Sequence, residues 1–276
     1  MSDVLSSLTG WTSQPFMLRA LLALVLLAPA CAALGVHVVS FRMAFFSDAI
    51  SHSVFTGIAL GLLLSLDVQL STIVFGLLLG VLLIQLGRHS SLSRDALIAV
   101  LLAIAMSLGI VIVSMRKGLV QQFQAVLYGD ILTLTSLDVA LTGIVLLGTL
   151  IFELVAFNKL LLISTSEALA RTHGIRAQIW ETLLALWVAV VALIGLRLVG
   201  LLMVTSLMVV PAAAARNLAR GARGALIWSV IIAELSSVAG LAASWALDSA
   251  TGATVILVAA VLFLATLPFG SRVRRS

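Results

Sequence analysis

Apolar stretches long enough to cross a bilayer recur along almost the whole of this 276-residue chain, separated by short charged or turn-rich breaks. A hydrocarbon core about 30 Å thick takes roughly 20 residues of helix to span, and lipid offers exposed backbone no hydrogen-bond partner, so only helices or closed barrels cross it. The runs here are continuous rather than alternating, which selects helices. Composition agrees, with 62% hydrophobic and 10% charged residues and a mean hydropathy of +1.24, outside the range of a water-soluble domain. The expected fold class is all-α: one polytopic helical bundle over residues 1–276, with no room for a separate soluble catalytic domain.

The breaks divide the chain into about nine candidate spans, at 18–41, 45–66, 69–87, 95–114, 136–157, 180–197, 199–215, 224–246 and 252–269, with eight as the alternative count. The ambiguity lies around Arg197, where one long apolar block is either a single tilted helix or two short ones broken near Gly195 and Gly200. Charge decides it. With nine spans, one set of connections holds Arg42, Arg88, Arg94, Lys159, Arg171, Arg176, Arg216, Arg220, Arg223, Arg272, Arg274 and Arg275. The other holds only Arg19, Arg116, Lys117 and Arg197, so the sixteen basic residues divide 12 to 4. With eight spans that asymmetry disappears. Cytoplasmic loops carry the excess of Lys and Arg, which places the N-terminus outside and the C-terminus inside. The formal charge of +5 therefore encodes orientation in a prokaryotic cell membrane and lipid contact, not nucleic-acid binding.

The first sixteen residues lack Lys and Arg, hence the basic start of a cleaved signal peptide, so the first span is expected to be retained. Cys31, the single cysteine, sits within that span and reads as a buried small hydrophobe. Gly57 with Gly61, and Gly76 with Gly80, form small-xxx-small patterns that let neighbouring helices approach closely. Trp180 and Trp228 fall near inner helix ends and Trp245 near an outer one, as in an aromatic belt. Two connections look structured: the outer one from Met115 to Thr135, with Gln121, Gln122, Gln124 and Asp130, and the inner one over 158–179. In the latter, Ser164-Thr165-Ser166-Glu167 precedes good helix formers and Gly174 supplies a stop, the pattern of a short capped helix. Such a helix, too polar to insert, offers a docking surface to a soluble partner.

Ser47-Asp48-Ala49-Ile50-Ser51-His52-Ser53 carries the chemistry. Asp48 and His52 are one helical turn apart and share a face. Carboxylate oxygen and imidazole nitrogen are donors that divalent transition metals accept, and ionisable groups inside a span are functional candidates by default. Asp48 as a helix cap and His52 as a donor to a neighbouring carbonyl is the other reading. By rise along the helix, Asp48 would sit roughly 5 Å and His52 roughly 10 Å inside the cytoplasmic end of the second span, with Glu153 near Asp48's depth and Glu234 at roughly 15 Å. Glu234, Glu153 and His37 are further candidates from other helices.

Four stretches together resemble the integral membrane subunits of the zinc and manganese ATP-binding-cassette importers. They are Ser47 to His52 followed by Gly57-Ile58-Ala59-Leu60-Gly61; Leu127-Tyr128-Gly129-Asp130-Ile131-Leu132; Glu167-Ala168-Leu169-Ala170-Arg171 with Gly174-Ile175; and Val199 to Thr205 leading to Pro211-Ala212-Ala213-Ala214-Ala215-Arg216. The chain departs from the family pattern mildly, with Tyr128 for Phe, Ser166-Glu167 for an Asp, and Ser53 for Ala. The resemblance implies a permease similar to the vitamin B12 importer type, working as a homodimer or with a similar permease. It implies a separate ATPase subunit docked at about 164–176, with Glu167, Ala170, Arg171 and Gly174 at the coupling point, and an extracytoplasmic metal-binding protein. It also implies no permanently bound cofactor: the divalent metal, of the zinc, manganese or iron class, is cargo, and ATP is used by the partner.

The chain has no Gly-x-x-x-x-Gly-Lys-Ser/Thr loop, so energy has to come from another subunit. An ion-coupled secondary transporter would also use intramembrane acids and histidines, but neither inverted repeats nor matched helix breaks are visible. An intramembrane enzyme lacks both the H-E-x-x-H and the Gly-x-Ser-x-Gly signatures. The orientation is tested by cysteine accessibility on a Cys31-free background, with single cysteines at Ser6 and Ser276. The expected outcome is labelling from opposite sides, Ser6 from outside; labelling of both from one side excludes the nine-span topology.

Overall fold

The computed structural model describes residues 15–115 and 134–273, and every regular element among them is a helix. In chain order these are α1 (Pro15–Ser40), α2 (Phe46–Leu64), α3 (Val68–His89), α4 (Arg94–Ser114), α5 (Ser136–Thr165), α6 (Glu167–Thr172), α7 (Ala177–Val199), α8 (Leu201–Leu218), α9 (Ala222–Leu247) and α10 (Thr251–Val273). The glutamine-bearing outer connection and the Tyr128-Gly129-Asp130 stretch lie outside the described residues. Local sequence sets several starts: Asp67 accepts from Leu70 N, Ser93 from Ala96 N, and Thr135 with Asp138 forms a complete capping box.

The block around Arg197 is two helices. Gly200, at φ +88°, occupies backbone space that favours glycine and reverses the chain between α7 and α8. In an unbroken helix Gly195 and Val204 would stand about 13.5 Å apart along the axis. Here a methyl group on Gly195 would lie 2.8 Å from Val204 Cγ2. Contacts at the helix ends give the same answer. Arg216 Nη1, near the end of α8, lies 3.4 Å from Val39 O at the end of α1. Arg88, at the end of α3, reaches Glu181 at the start of α7, with Nη2 3.1 Å from Oε2, and Asn217 donates to Thr266 near the end of α10 at 3.1 Å. Arg19 Nη1 lies 3.5 Å from Leu134 O, which puts the start of α5 beside the start of α1. The long helices therefore alternate in direction, and the start of α1 and the end of α10 lie at opposite ends of the bundle. Eight of them are long and apolar enough to cross a membrane, with the segment Leu202–Leu218 of α8 as a shorter apolar helix.

The inner connection differs from the expected 158–179 segment. Residues 158–165 prolong α5 without a break, the short helix is confined to Glu167–Thr172, and α7 has already begun at Ala177. Asn158 and Lys159 suggest a span end, but Lys159 lays its ammonium 3.9 Å over the Trp180 ring, a cation–π contact that carries the charge along the α5–α7 seam. Ser166 alone joins the two helices, as C-cap of α5 and N-cap of α6.

Packing relies on small residues, as it must where lipid is as apolar as the side chains. Gly57 faces the Thr72 backbone and Gly61 the Val68 backbone, closing the α2–α3 hairpin, while Gly76 and Gly80 admit Leu193, Ile50 and Phe46. Both small-xxx-small patterns are thus packing surfaces. Gly240 meets Val255 where α9 turns into α10, and Gly148 meets the Trp187 ring. Hydroxyls within the spans return to their own helix, as Ser53 to Ile50 O, Thr72 to Val68 O and Thr149 to Val145 O, or cross to a neighbour, as Ser229 to Ala32 O. The closest approach is Gly35 of α1 against α8, where any β-carbon would overlap the Met208 carbonyl oxygen. Gly35→Ala should therefore lose about 1–3 kcal/mol through overpacking, despite a gain in helix propensity. Gly143→Ala, whose methyl group meets nothing within 4 Å, should be neutral or gain up to about 1 kcal/mol. Thermal unfolding of the two variants in detergent checks the contrast.

Candidate functional site

Helix α2 is packed on several sides. Ile50 and Gly57 face α3, the Thr56 hydroxyl donates to Ala105 O of α4, and α7 and α8 lie against it as well. Between Phe46 and Ala59 every residue is buried except Asp48 and His52. Their side chains are 33% and 25% exposed, on the same sector as the exposed Phe45. Asp48 Oδ1 and His52 Nε2 are 3.6 Å apart, too far for a hydrogen bond, and no capping bond is made at the start of α2. His52 Nδ1 is buried with no partner among the described residues, and the ring stacks on Phe55 at 5.6 Å between centroids and 17° between planes. The helix thus presents a carboxylate and an oriented imidazole whose polar atoms are not consumed by the fold. A cation about 2.1 Å from both Oδ1 and Nε2 would subtend an angle near 120°, within reach of tetrahedral geometry. Among the described residues no group of three or more His, Cys, Asp or Glu could hold a metal, so one chain offers a two-ligand station.

His37 and Glu153 are brought together elsewhere. Nε2 of His37 lies 3.0 Å from Oε2 of Glu153, joining α1 to α5, and both residues are buried, at 3% and 7% exposure. Phe157 closes edge-on against the imidazole at 5.6 Å, and Glu153 Oε1 has no partner among the described residues. Neither side chain belongs to the open sector of α2. Removing one member of a buried pair costs about 3–5 kcal/mol if it strands a charge. Glu234 stands apart from both pairs. It is half-buried in α9, bordering the exposed Ile231 and Leu235, and it belongs to no group of metal-ligating side chains among the described residues.

The short helix α6 matches its sequence signals. Ser166 Oγ accepts from Leu169 N at 3.3 Å, Gly174 at φ +72° ends the turn, and Ala170 is fully buried beneath. Glu167 and Arg171 form an exposed ion pair at 2.8 Å, one turn apart. A cleft beside them is lined by Arg88, Glu167, Arg171, Gly174, Ile175 and Arg176. Sequence reasoning passed over Glu181, which is 5% exposed and holds Arg88 against the start of α7. An acid on the second turn of an apolar helix calls for a buried cation nearby, and Arg88 closes a span on the same side; that was the available signal.

The ABC 3 transport family matches residues 13–270. The chain belongs to that family. It is 33% identical to the high-affinity zinc uptake system membrane protein ZnuB of Haemophilus influenzae over 251 residues, covering 90% of this chain and 95% of the relative. The manganese import system permease protein ScaB of Streptococcus parasanguinis is 28% identical over 249 residues, covering 90% of this chain and 89% of the relative. Among solved structures, PsaBC from Streptococcus pneumoniae in complex with Fab superposes with a TM-score of 0.80 at 27% identity, covering 95% of each chain. This member of the family is a multi-pass membrane transport component with the helical fold of an ABC permease, as the four sequence stretches led one to expect.

Proposed function

We propose that this chain is the permease subunit of an ATP-driven importer that carries a divalent transition metal ion, of the zinc or manganese class, into the cytoplasm. The observation that carries it is the Asp48–His52 pair, the two residues left open on an otherwise buried stretch of α2 in a chain whose relatives include a zinc uptake protein and a manganese import permease. A carboxylate in the low-dielectric interior lowers the cost of a dehydrating cation, and a neutral imidazole adds a donor without adding charge. Two ligands per chain suit a path, because a closed four-ligand cage would not release its ion. The remaining donors come from water or from a second copy of this chain, the partnership the family resemblance implies. Glu234, a carboxylate deep in α9, is a second candidate for the path. His37 and Glu153, already engaged with each other, serve it indirectly if at all.

ATP is used by a separate ATPase subunit, which α6 receives through Glu167, Ala170, Arg171 and Gly174, and the ion is delivered by an extracytoplasmic binding protein. In this reading the basic-rich ends of the helices face the cytoplasm of a prokaryotic cell, and the N-terminus faces out.

The test uses the assembled complex in liposomes, with zinc and manganese as the ions supplied. Asp48→Asn keeps the side-chain volume and could cap a helix nearly as well, yet it removes a hard anionic ligand. Metal uptake should fall at least tenfold in Asp48→Asn and in His52→Ala while the ATPase stays bound. Parental uptake by Asp48→Asn at matched expression would leave the carboxylate without a role in the path.

Docking is tested by exchanging the charges of α6. The double variant Glu167→Arg with Arg171→Glu keeps an ion pair one turn apart, worth only about 0.3–0.5 kcal/mol, but inverts the charges shown to a partner. Its thermal stability should match the parent, and ATPase recovered with the purified permease should drop about tenfold. Undiminished recovery would place the docking surface elsewhere.

A further inference from the structure

We infer that the buried His37–Glu153 contact is a positioning link that ties the coupling helix α6 to the Asp48–His52 station, so that ATP hydrolysis is converted into ion movement through it. The inference rests on the importer reading above and adds to it the two residues that connect its ends.

The link is built from three segments. The first is α5, a continuous helix from Ser136 to Thr165, joined to α6 through the single residue Ser166. Twelve residues separate Glu153 from Thr165, about 18 Å of helix, so a displacement of α6 acts on Glu153 with no flexible linker between them. The second is the contact itself, Nε2 to Oε2 at 3.0 Å, with both side chains buried and Phe157 closing against the ring. Because Glu153 Oε1 has no partner among the described residues, the hold of that carboxylate on α1 rests on His37. The third is the turn from α1 to α2. The carbonyl of His37 accepts from Phe41 N at 2.9 Å, Val38 O from Met43 N at 2.9 Å, and Met43 O from Phe46 N at 2.9 Å, with Arg42 held at φ +56°. Phe46 is the first residue of α2, and Asp48 follows in its first turn. One residue, His37, thus bonds α5 through its ring and the turn before Asp48 through its backbone.

A purely structural purpose does not account for the pair. Replacing a buried ion pair with well-packed apolar side chains of similar volume is often neutral or stabilising, and lipid-exposed helices elsewhere in this bundle are held by small apolar residues alone. The pair supplies what apolar packing lacks, a directional contact that fixes the α1–α5 register at one point.

The experiment reads the number of metal ions transported per ATP hydrolysed by the assembled complex in liposomes, with zinc and manganese each supplied alone. Three variants are compared with the parent: Glu153→Gln, which retains a hydrogen bond to His37; Glu153→Met, which removes it; and the double variant His37→Leu with Glu153→Met, which replaces the pair with apolar side chains. The expected result is a ratio within about twofold of the parent for Glu153→Gln and about tenfold lower for the other two, with ATP hydrolysis continuing. A parental ratio in the double variant overturns the inference and leaves the contact a packing feature. If the double variant does not assemble, Glu153→Met alone is read with the same two outcomes. A parent complex that hydrolyses ATP but moves neither ion refutes the importer reading itself, which separates that failure from failure of the link.

Discussion

The bundle is hung on α1. This helix packs against α5, α7, α8 and α9, and much of its length is fully buried, with Ala20, Ala23, Leu24, Leu27, Ala28, Ala30, Cys31 and Ala32 inaccessible. Between helices in lipid, association comes from close van der Waals fit rather than from exclusion of water, and a central helix rich in alanine lets several neighbours approach at once. Gly35 is the limiting case, where the backbone of α8 passes so near that no side chain fits. Once α1 is fixed, the turn at residues 41–45 sets where α2 begins, and α2 carries the two residues with open metal-binding chemistry. The position of the candidate station is in this sense a consequence of how α1 packs.

Much of this was legible in the sequence because the signals were local or cumulative. Apolar run length marked the helices, and the break at Gly200 followed from the parity of sixteen basic residues, since only an additional crossing kept twelve of them on one side. The α6 helix was visible in Ser166, Glu167 and Gly174, whose roles as cap, first-turn acid and stop depend on neighbours a few positions away. Asp48 and His52 were legible for the same reason, being one turn apart.

Contacts between distant segments were not legible. His37 and Glu153 are separated by 116 positions, and each alone looked like an isolated polar residue in an apolar run; only the packing of α1 on α5 shows that they answer one another. Arg88 and Glu181, 93 positions apart, are hidden in the same way. The length of α5 was misread because polarity was taken as a boundary. Lys159 can continue a buried helix when an indole ring receives its charge, and Trp180, which supplies that ring, was assigned to an interfacial belt instead.

The junction at Ser166 has a bearing on how such a chain can change over time. With one residue serving as the end of α5 and the start of α6, there is no slack to absorb a change in length. A single inserted residue would rotate the following helix by about 100° relative to α5, lifting Ala170 out of its seat and turning the Glu167–Arg171 edge away from its present direction. Substitution is free to explore the chemistry of that edge. Insertion and deletion are not, so variation in length within this architecture belongs to the other connections, while the spacing from Glu153 to Arg171 is held by geometry.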